Sequence, residues 1–168
     1  MNILLINHYA GSIYHGMEYR PYYLAKKWVE KGHDVTILAA SFSHLRTNQT
    51  EICTNDDLLD IQMIDGIRYV FVKTPSYNGN GAARFKNMLS FCSRIYLNRK
   101  KISKLSKPDV VIGSSTYPLD MIPAKAIAKL TKARLYFEVH DLWPLSPMEL
   151  GNMSKYHPFI ATMQFGED

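Results

Sequence analysis

The sequence predicts an α/β fold, a doubly wound parallel Rossmann-like sheet in the strand order 3-2-1-4-5 with one small β-hairpin. Three observations predict it. Asn2-Ile3-Leu4-Leu5-Ile6-Asn7 and Val35-Thr36-Ile37-Leu38-Ala39 are short apolar runs, the pattern of strands buried on both faces. Helical periodicity lies between them, so strand, helix and strand fit within about 40 residues as one right-handed βαβ unit. Two later runs, Asp109-Val110-Val111-Ile112-Gly113 and Arg134 to Val139, bracket another helical stretch in the same way.

Each element has a local reason. The first strand runs into a polar and aromatic loop, Asn7 to Tyr19, carrying Gly11 and Gly16. Pro21 suits a first helical turn, where its missing N–H costs nothing. Leu24, Ala25, Trp28 and Val29 then share a helical face, and Gly32 supplies a stop. Ser41 to Asp60 lacks either periodicity and reads as a long surface loop. Asp65-Gly66, flanked by Ile61 to Ile64 and Ile67 to Lys73, signals a hairpin whose second arm is the third main strand. Pro75 to Gly81 is turn-rich, and Ala82 to Leu105 reads as one long helix ended by Pro108. Pro118 or Pro123 starts a helix through Leu130, Arg134 to Val139 is a buried fifth strand, and Pro158 to Phe165 is a last apolar stretch.

The bulk numbers narrow the function classes. At 168 residues the chain can bury one domain core, and 46% hydrophobic with 21% charged residues is ordinary for a globular protein. Cys53 and Cys92 are far apart and lack metal-type spacing, which excludes a disulfide framework and fits a reducing compartment. No run approaches the roughly 20 apolar residues of a membrane-spanning helix. Ile3 to Ile6 is too short for the core of a signal peptide, so the expected location is the cytoplasm. The net charge of +5 points to an anionic partner. No nucleic-acid-binding module appears, so nucleic acid is not expected to be that partner.

Three stretches carry candidate chemistry. The loop Tyr9 to Arg20 brings glycines to a helix N-terminus, where free amides and the helix dipole attract anions. It matches neither a dinucleotide fingerprint nor a Walker loop, and a plain tight turn is its alternative. Glu138-Val139-His140-Asp141-Leu142-Trp143-Pro144 delivers polar side chains to the carboxyl edge of the sheet, where ligands sit in such folds. No ligand partner for a metal lies near His140, and no G-x-S-x-G elbow supports a serine triad. Helix or turn capping competes for Asp141, and Trp143 with Pro144 shapes the loop. The segment Arg84 to Lys107 interleaves Arg84, Lys86, Arg94, Arg99, Lys100, Lys101, Lys104 and Lys107 with Phe85, Met88, Leu89, Phe91 and Tyr96. It suits an anionic membrane surface or the solvated face of a packed helix.

The motifs Ile6-Asn7-His8-Tyr9, Lys31-Gly32-His33-Asp34-Val35-Thr36 and Pro75-Ser76-Tyr77-Asn78-Gly79-Asn80-Gly81 occur together with Lys107-Pro108-Asp109-Val110-Val111-Ile112-Gly113-Ser114-Ser115 and Glu138 to Pro144. In these the chain resembles the amino-terminal half of a GT-B-fold, family-4 glycosyltransferase, of the L-fucosamine-transferase-like capsule and O-antigen type. The resemblance implies retaining transfer of a sugar from a nucleotide-sugar to a glycan or lipid-linked acceptor in cell-surface polysaccharide biosynthesis. It implies no metal and no cofactor beyond the donor substrate. It places Gly11, Ser12 and Gly16 near the donor diphosphate and His140 beside the transferred sugar. The catalytic candidates are His140 and Asp141, expected to hold the donor sugar or the acceptor hydroxyl. His15, Met17, Glu18, Arg20, Ser115, Thr116 and Trp143 complete the substrate-binding candidates.

Residues 1–157 form the expected acceptor-side domain, and 158–168 begin the helix toward a carboxy-terminal donor domain. That domain is missing from the sequence, so the chain is expected to be inactive alone. The rival readings are a non-catalytic module that binds a glycan or a partner subunit, and a generic nucleotide or flavin binder.

Overall fold

The computed structural model describes residues 1–16, 18–46, 57–79 and 81–167. One six-stranded sheet contains β1 (Asn2–Ile6), β2 (Asp34–Ala40), β3 (Leu59–Ile64), β4 (Ile67–Val72), β5 (Val110–Gly113) and β6 (Arg134–Phe137). Their order is β3-β4-β2-β1-β5-β6, and only the β3–β4 pair is antiparallel. The difference from the expected order is the extra strand β3, the first hairpin arm, which lengthens the sheet at its edge. Asp65 and Gly66 turn that hairpin with φ of 50° and 78°, the left-handed pair a two-residue loop requires.

The central strands bury both faces, as parallel sheets do. Leu4, Ile6, Leu38, Val70 and Val111 face α2 (Ala82–Leu97), α3 (Arg99–Ser106), α4 (Met121–Thr131) and α6 (Pro158–Glu167). Ile3, Leu5, Val35, Ile37, Tyr69 and Phe71 pack with Tyr22 and Ala25 of α1 (Arg20–Glu30). The period of two along each strand is thus apolar on both sides.

Three local expectations need correction. The long helix is broken at Asn98, whose side-chain amide donates to the Arg94 carbonyl at 2.9 Å, as an asparagine that competes with the helix ladder does. A 3-10 turn, Pro118–Asp120, precedes α4 and takes up the uncertainty about which proline starts that helix. The fifth main strand, β6, is not buried: Tyr136 is 52% and Phe137 38% exposed. It is an edge strand, and its apolar composition reads the same as that of a central strand.

Of the expected Ser41–Asp60 loop, residues 47–56 lie outside the described residues, as does Cys53. Its first part, through Arg46, folds back onto the sheet edge. α6 docks on the body through Ile160 and Met163, and a Cβ on Gly166 would sit 3.0 Å from the Leu119 backbone nitrogen.

Candidate functional site

The parallel register brings three polar residues off the sheet side by side. Ile6 pairs with Gly113 and Gly113 with Phe137, so the next residues, Asn7, Ser114 and Glu138, leave together. Ser114 donates its amide to Ile6 at 2.9 Å, Glu138 donates to Gly113 at 2.8 Å, and the Asn7 side chain donates to the Ser114 carbonyl at 2.6 Å.

On this platform sits a hydrogen-bonded cluster. The Ser114 hydroxyl donates to Glu138 Oε2 at 2.6 Å. Its one proton is thereby used, so the 2.9 Å contact with His140 Nε2 is a bond that the imidazole donates. His140 Nε2 also lies 3.3 Å from Glu138 Oε2, and Nδ1 lies 3.5 Å from Glu18 Oε1. Arg20 closes the group by pairing with Glu138 Oε1. Burial opposes the Glu138 charge, but the bonds from Ser114 and Arg20 and the Arg20 charge outweigh it and hold the pKa below the ordinary carboxyl value. The result is a polar floor with two carboxylates, an imidazole and a guanidinium, suited to binding hydroxyl groups.

The loop after β1 is folded on itself. Gly11 donates to Glu18 and Glu18 to Tyr9, while Ser12 donates to Gly16 and both His15 and Gly16 donate to Ser12. The Ser12 hydroxyl accepts the Tyr14 amide at 3.2 Å and the His15 amide at 3.3 Å, and spends its proton on His15 Nδ1 at 2.9 Å. Gly16, at φ 87°, makes the turn that a side chain would strain. Buried Arg46 ties the loop down by donating to the carbonyls of Ala10, Ala40 and Ser41. The amides of Gly11, Ser12 and Gly16 are therefore spent within the loop, and the exposed tip is Ile13 and Tyr14.

Of the sequence candidates, Glu18, Arg20 and His140 meet at the cluster. Asp141 faces elsewhere: its carboxylate accepts the Leu142 amide at 2.9 Å, the Trp143 indole N–H at 2.8 Å and the Ser146 hydroxyl at 2.7 Å. The Ser146 bond first, then the Trp143 bond, hold its pKa down against a small burial cost. Asp141 thus caps the turn into α5 (Leu145–Glu149), and Trp143 helps build that turn ahead of a cis Pro144. Ser115 is buried and tied to the backbone of His8 and to Asp120, whereas Thr116 is half-buried at the strand exit. Met17 lies outside the described residues.

A buried polar layer lies beneath the strand ends. His8 Nδ1 meets the Tyr117 hydroxyl, and burial followed by the Arg46 charge pushes the His8 pKa down to about 3, so the ring is neutral. Asp120 is fully buried, and desolvation raises its pKa to about 7 despite bonds from Ser115. Among the described residues no group of three or more His, Cys, Asp or Glu side chains could hold a metal ion.

Ser114 and Glu138 stood within the motif stretches without a role of their own, and Arg46 was not among the sequence candidates. Strand register would have exposed the first two, because Gly113 and Phe137 end paired strands. Nothing local in the sequence marks Arg46.

The comparisons with known proteins fit this architecture. A crystal structure of the C-terminal domain of a hydrogenase from Pyrococcus furiosus superposes with a TM-score of 0.51 at 20% identity, covering 82% of this chain and 89% of that one. At that identity the likeness concerns the fold alone. No curated protein matches the chain. The model of Glycosyltransferase Family 4 matches residues 14–164, which include the cluster and most of the sheet. The chain belongs to glycosyltransferase family 4.

Proposed function

We propose that this domain forms the acceptor-side wall of a retaining glycosyltransferase cleft, transferring a sugar from a nucleotide-sugar to a glycan or lipid-linked acceptor of a cell-surface polysaccharide such as capsule or O-antigen. The L-fucosamine type is the finer form of the reading, and it rests on the motif resemblance of Glu138 to Pro144. The observation that carries the proposal is the Ser114 hydroxyl joining Glu138 to His140, with Glu18 and Arg20 completing the ring. Such a floor offers acceptors and donors at fixed positions, and sugar hydroxyls need both.

Retention without a covalent intermediate asks a protein for positioning and charge stabilisation. The departing nucleoside diphosphate gains negative charge while the acceptor hydroxyl loses a proton. In this reading Glu18 and Glu138 accept hydroxyl hydrogens, and His140 fixes the sugar or acceptor oxygen beside them. Because the loop amides are spent internally, Arg20 and the first turn of α1 meet the diphosphate in place of Gly11, Ser12 and Gly16. Asp141 acts one step back, as a positioning residue that holds the Trp143 turn. In this reading the donor clamp comes from a second Rossmann-like domain facing this one.

The test uses the enzyme with both domains and a nucleotide-sugar panel. His140→Ala and Ser114→Ala are expected to lower transfer by about a hundredfold, the loss of a positioned polar contact in a desolvated cleft. Wild-type rates in both variants would remove the cluster from the mechanism. Tight binding of flavin in preference to any nucleotide-sugar would replace the glycosyltransferase reading altogether.

A further inference from the structure

We propose that a half-open apolar cleft beside the Trp143 turn receives the hydrocarbon chain of a lipid-phosphate-linked acceptor, an inference that rests on the glycosyltransferase reading above. The first turns of α2, the Trp143–Pro147 turn and the stretch from Met153 to Thr162 line a half-open cleft of about 560 Å³. That is within the range of small-molecule pockets. Its walls are Phe85, Met88, Trp143, Met153 and Phe159. The Phe159 ring stands edge-on to both Phe85 and Trp143, with centroids 5.5 Å from each, so the aromatic wall is continuous.

This lining decides the chemistry of the guest. Deep against this lining a sugar hydroxyl finds few partners beyond Arg84, His157 and Thr162. A hydrocarbon gains with each methylene it buries.

Hydrogen bonds tie its walls to the turn after β6 and to the strand ends. Trp143 lines the cavity and donates its indole N–H to Asp141, the residue after His140. Arg84, also in the cavity wall, donates to the Tyr9 hydroxyl at 3.0 Å, and its guanidinium lies 5.6 Å from that ring. Tyr9 donates its amide to Asn7 at the strand ends, so one cation links the cavity to the platform that carries Ser114. An apolar pocket with a guanidinium at its wall matches the hydrocarbon and phosphate of such a molecule. An isoprenyl and a straight alkyl chain share this chemistry.

The experiment uses the whole chain with Trp28→Phe, which leaves Trp143 as the single tryptophan and a reporter in the cavity wall. Its fluorescence is titrated with farnesyl phosphate, dodecyl phosphate, inorganic phosphate and farnesol, each below its aggregation threshold. The expected result is saturable binding of one or both lipid phosphates, about tenfold or more tighter than phosphate or farnesol alone. A preference between farnesyl and dodecyl phosphate identifies the lipid class. Ala82→Phe, a change at an exposed first-turn position facing the cavity, is expected to abolish that binding. Arg84→Met is expected to reduce the advantage of the lipid phosphates over farnesol.

Equal affinity for phosphate with and without a chain overturns the proposal. So does lipid phosphate binding that Ala82→Phe leaves intact in a protein whose circular dichroism is unchanged. Farnesol binding as tightly as farnesyl phosphate also overturns it. These failures are separate from failure of the glycosyltransferase reading, which shows as an absence of sugar transfer by the two-domain enzyme to any acceptor.

Discussion

A serine hydroxyl has one proton to give, and at Ser114 its destination sets the polarity of the whole cluster. Because it goes to Glu138, His140 must present an N–H to the serine and turn Nδ1 toward Glu18. Ser114→Ala should therefore free both partners, and the KM for sugar substrates should rise together with a fall in kcat. Glu138→Gln keeps the shape but removes the charge that Arg20 pairs with, so the KM effect should persist at low salt and fade at high salt. The Glu138 pKa is depressed on folding, so its stabilising contribution is present above the ordinary value and is lost as pH falls through the folded one.

Asp120 runs the other way. Its carboxyl binds a proton up to about pH 7 in the folded chain and only near pH 4 when unfolded, so between these values stability falls as pH rises. Asp120→Asn removes that slope. Denaturant titrations should show the variant gaining roughly 2–4 kcal/mol on the wild type between pH 5 and pH 8. A pH-independent difference would mean that Asp120 is ionised throughout.

The loop after β1 owes its shape to a side chain from another segment. Arg46 gives three backbone carbonyls a charged donor, and its guanidinium lies 5.3 Å from the Phe71 ring. Arg46→Met should cost about 3 kcal/mol in chemical denaturation, since buried carbonyls lose charge-assisted bonds. It should also loosen Glu18, seen as faster amide exchange at Gly11 and Glu18. At the helix pair, Lys86, Lys100, Lys101 and Lys104 are exposed near Leu89, Tyr96 and Leu97. Sedimentation with anionic vesicles should fall when Lys100, Lys101 and Lys104 are changed to Gln, and should weaken with salt. An unchanged pellet would leave α3 an ordinary solvated face. Among the described residues no helix is long and apolar enough to cross a membrane.

At the scale of the molecule, the sheet was legible because period and length of apolar runs are local properties. The βαβ start and the hairpin at Asp65-Gly66 could both be read from a few neighbouring residues. The break at Asn98 was not legible, since the apolar spacing continues across it while the Asn98 side chain bonds back to Arg94. Exposure of β6 was not legible either, because edge or centre is decided by which strand comes next to it. The site divides on the same line. Glu18, Arg20 and His140 could be found as polar residues in loops beside apolar strands. Ser114 and Glu138 needed the register of three strands, and the capping role of Asp141 could be named from sequence but not separated there from a catalytic one.

The outer side of β6 has a practical consequence. A sheet edge presents backbone donors and acceptors at the spacing another strand needs, and here Tyr136 and Phe137 stand half-exposed on its two faces. Proteins that keep such an edge soluble usually place a charge in it, and this one has only Arg134, at the start of the strand. In concentrated solution the edge is a template for self-association. Tyr136→Lys should raise the concentration at which light scattering begins while leaving the denaturation midpoint nearly unchanged, so the handling limit of this domain will be colloidal rather than thermal.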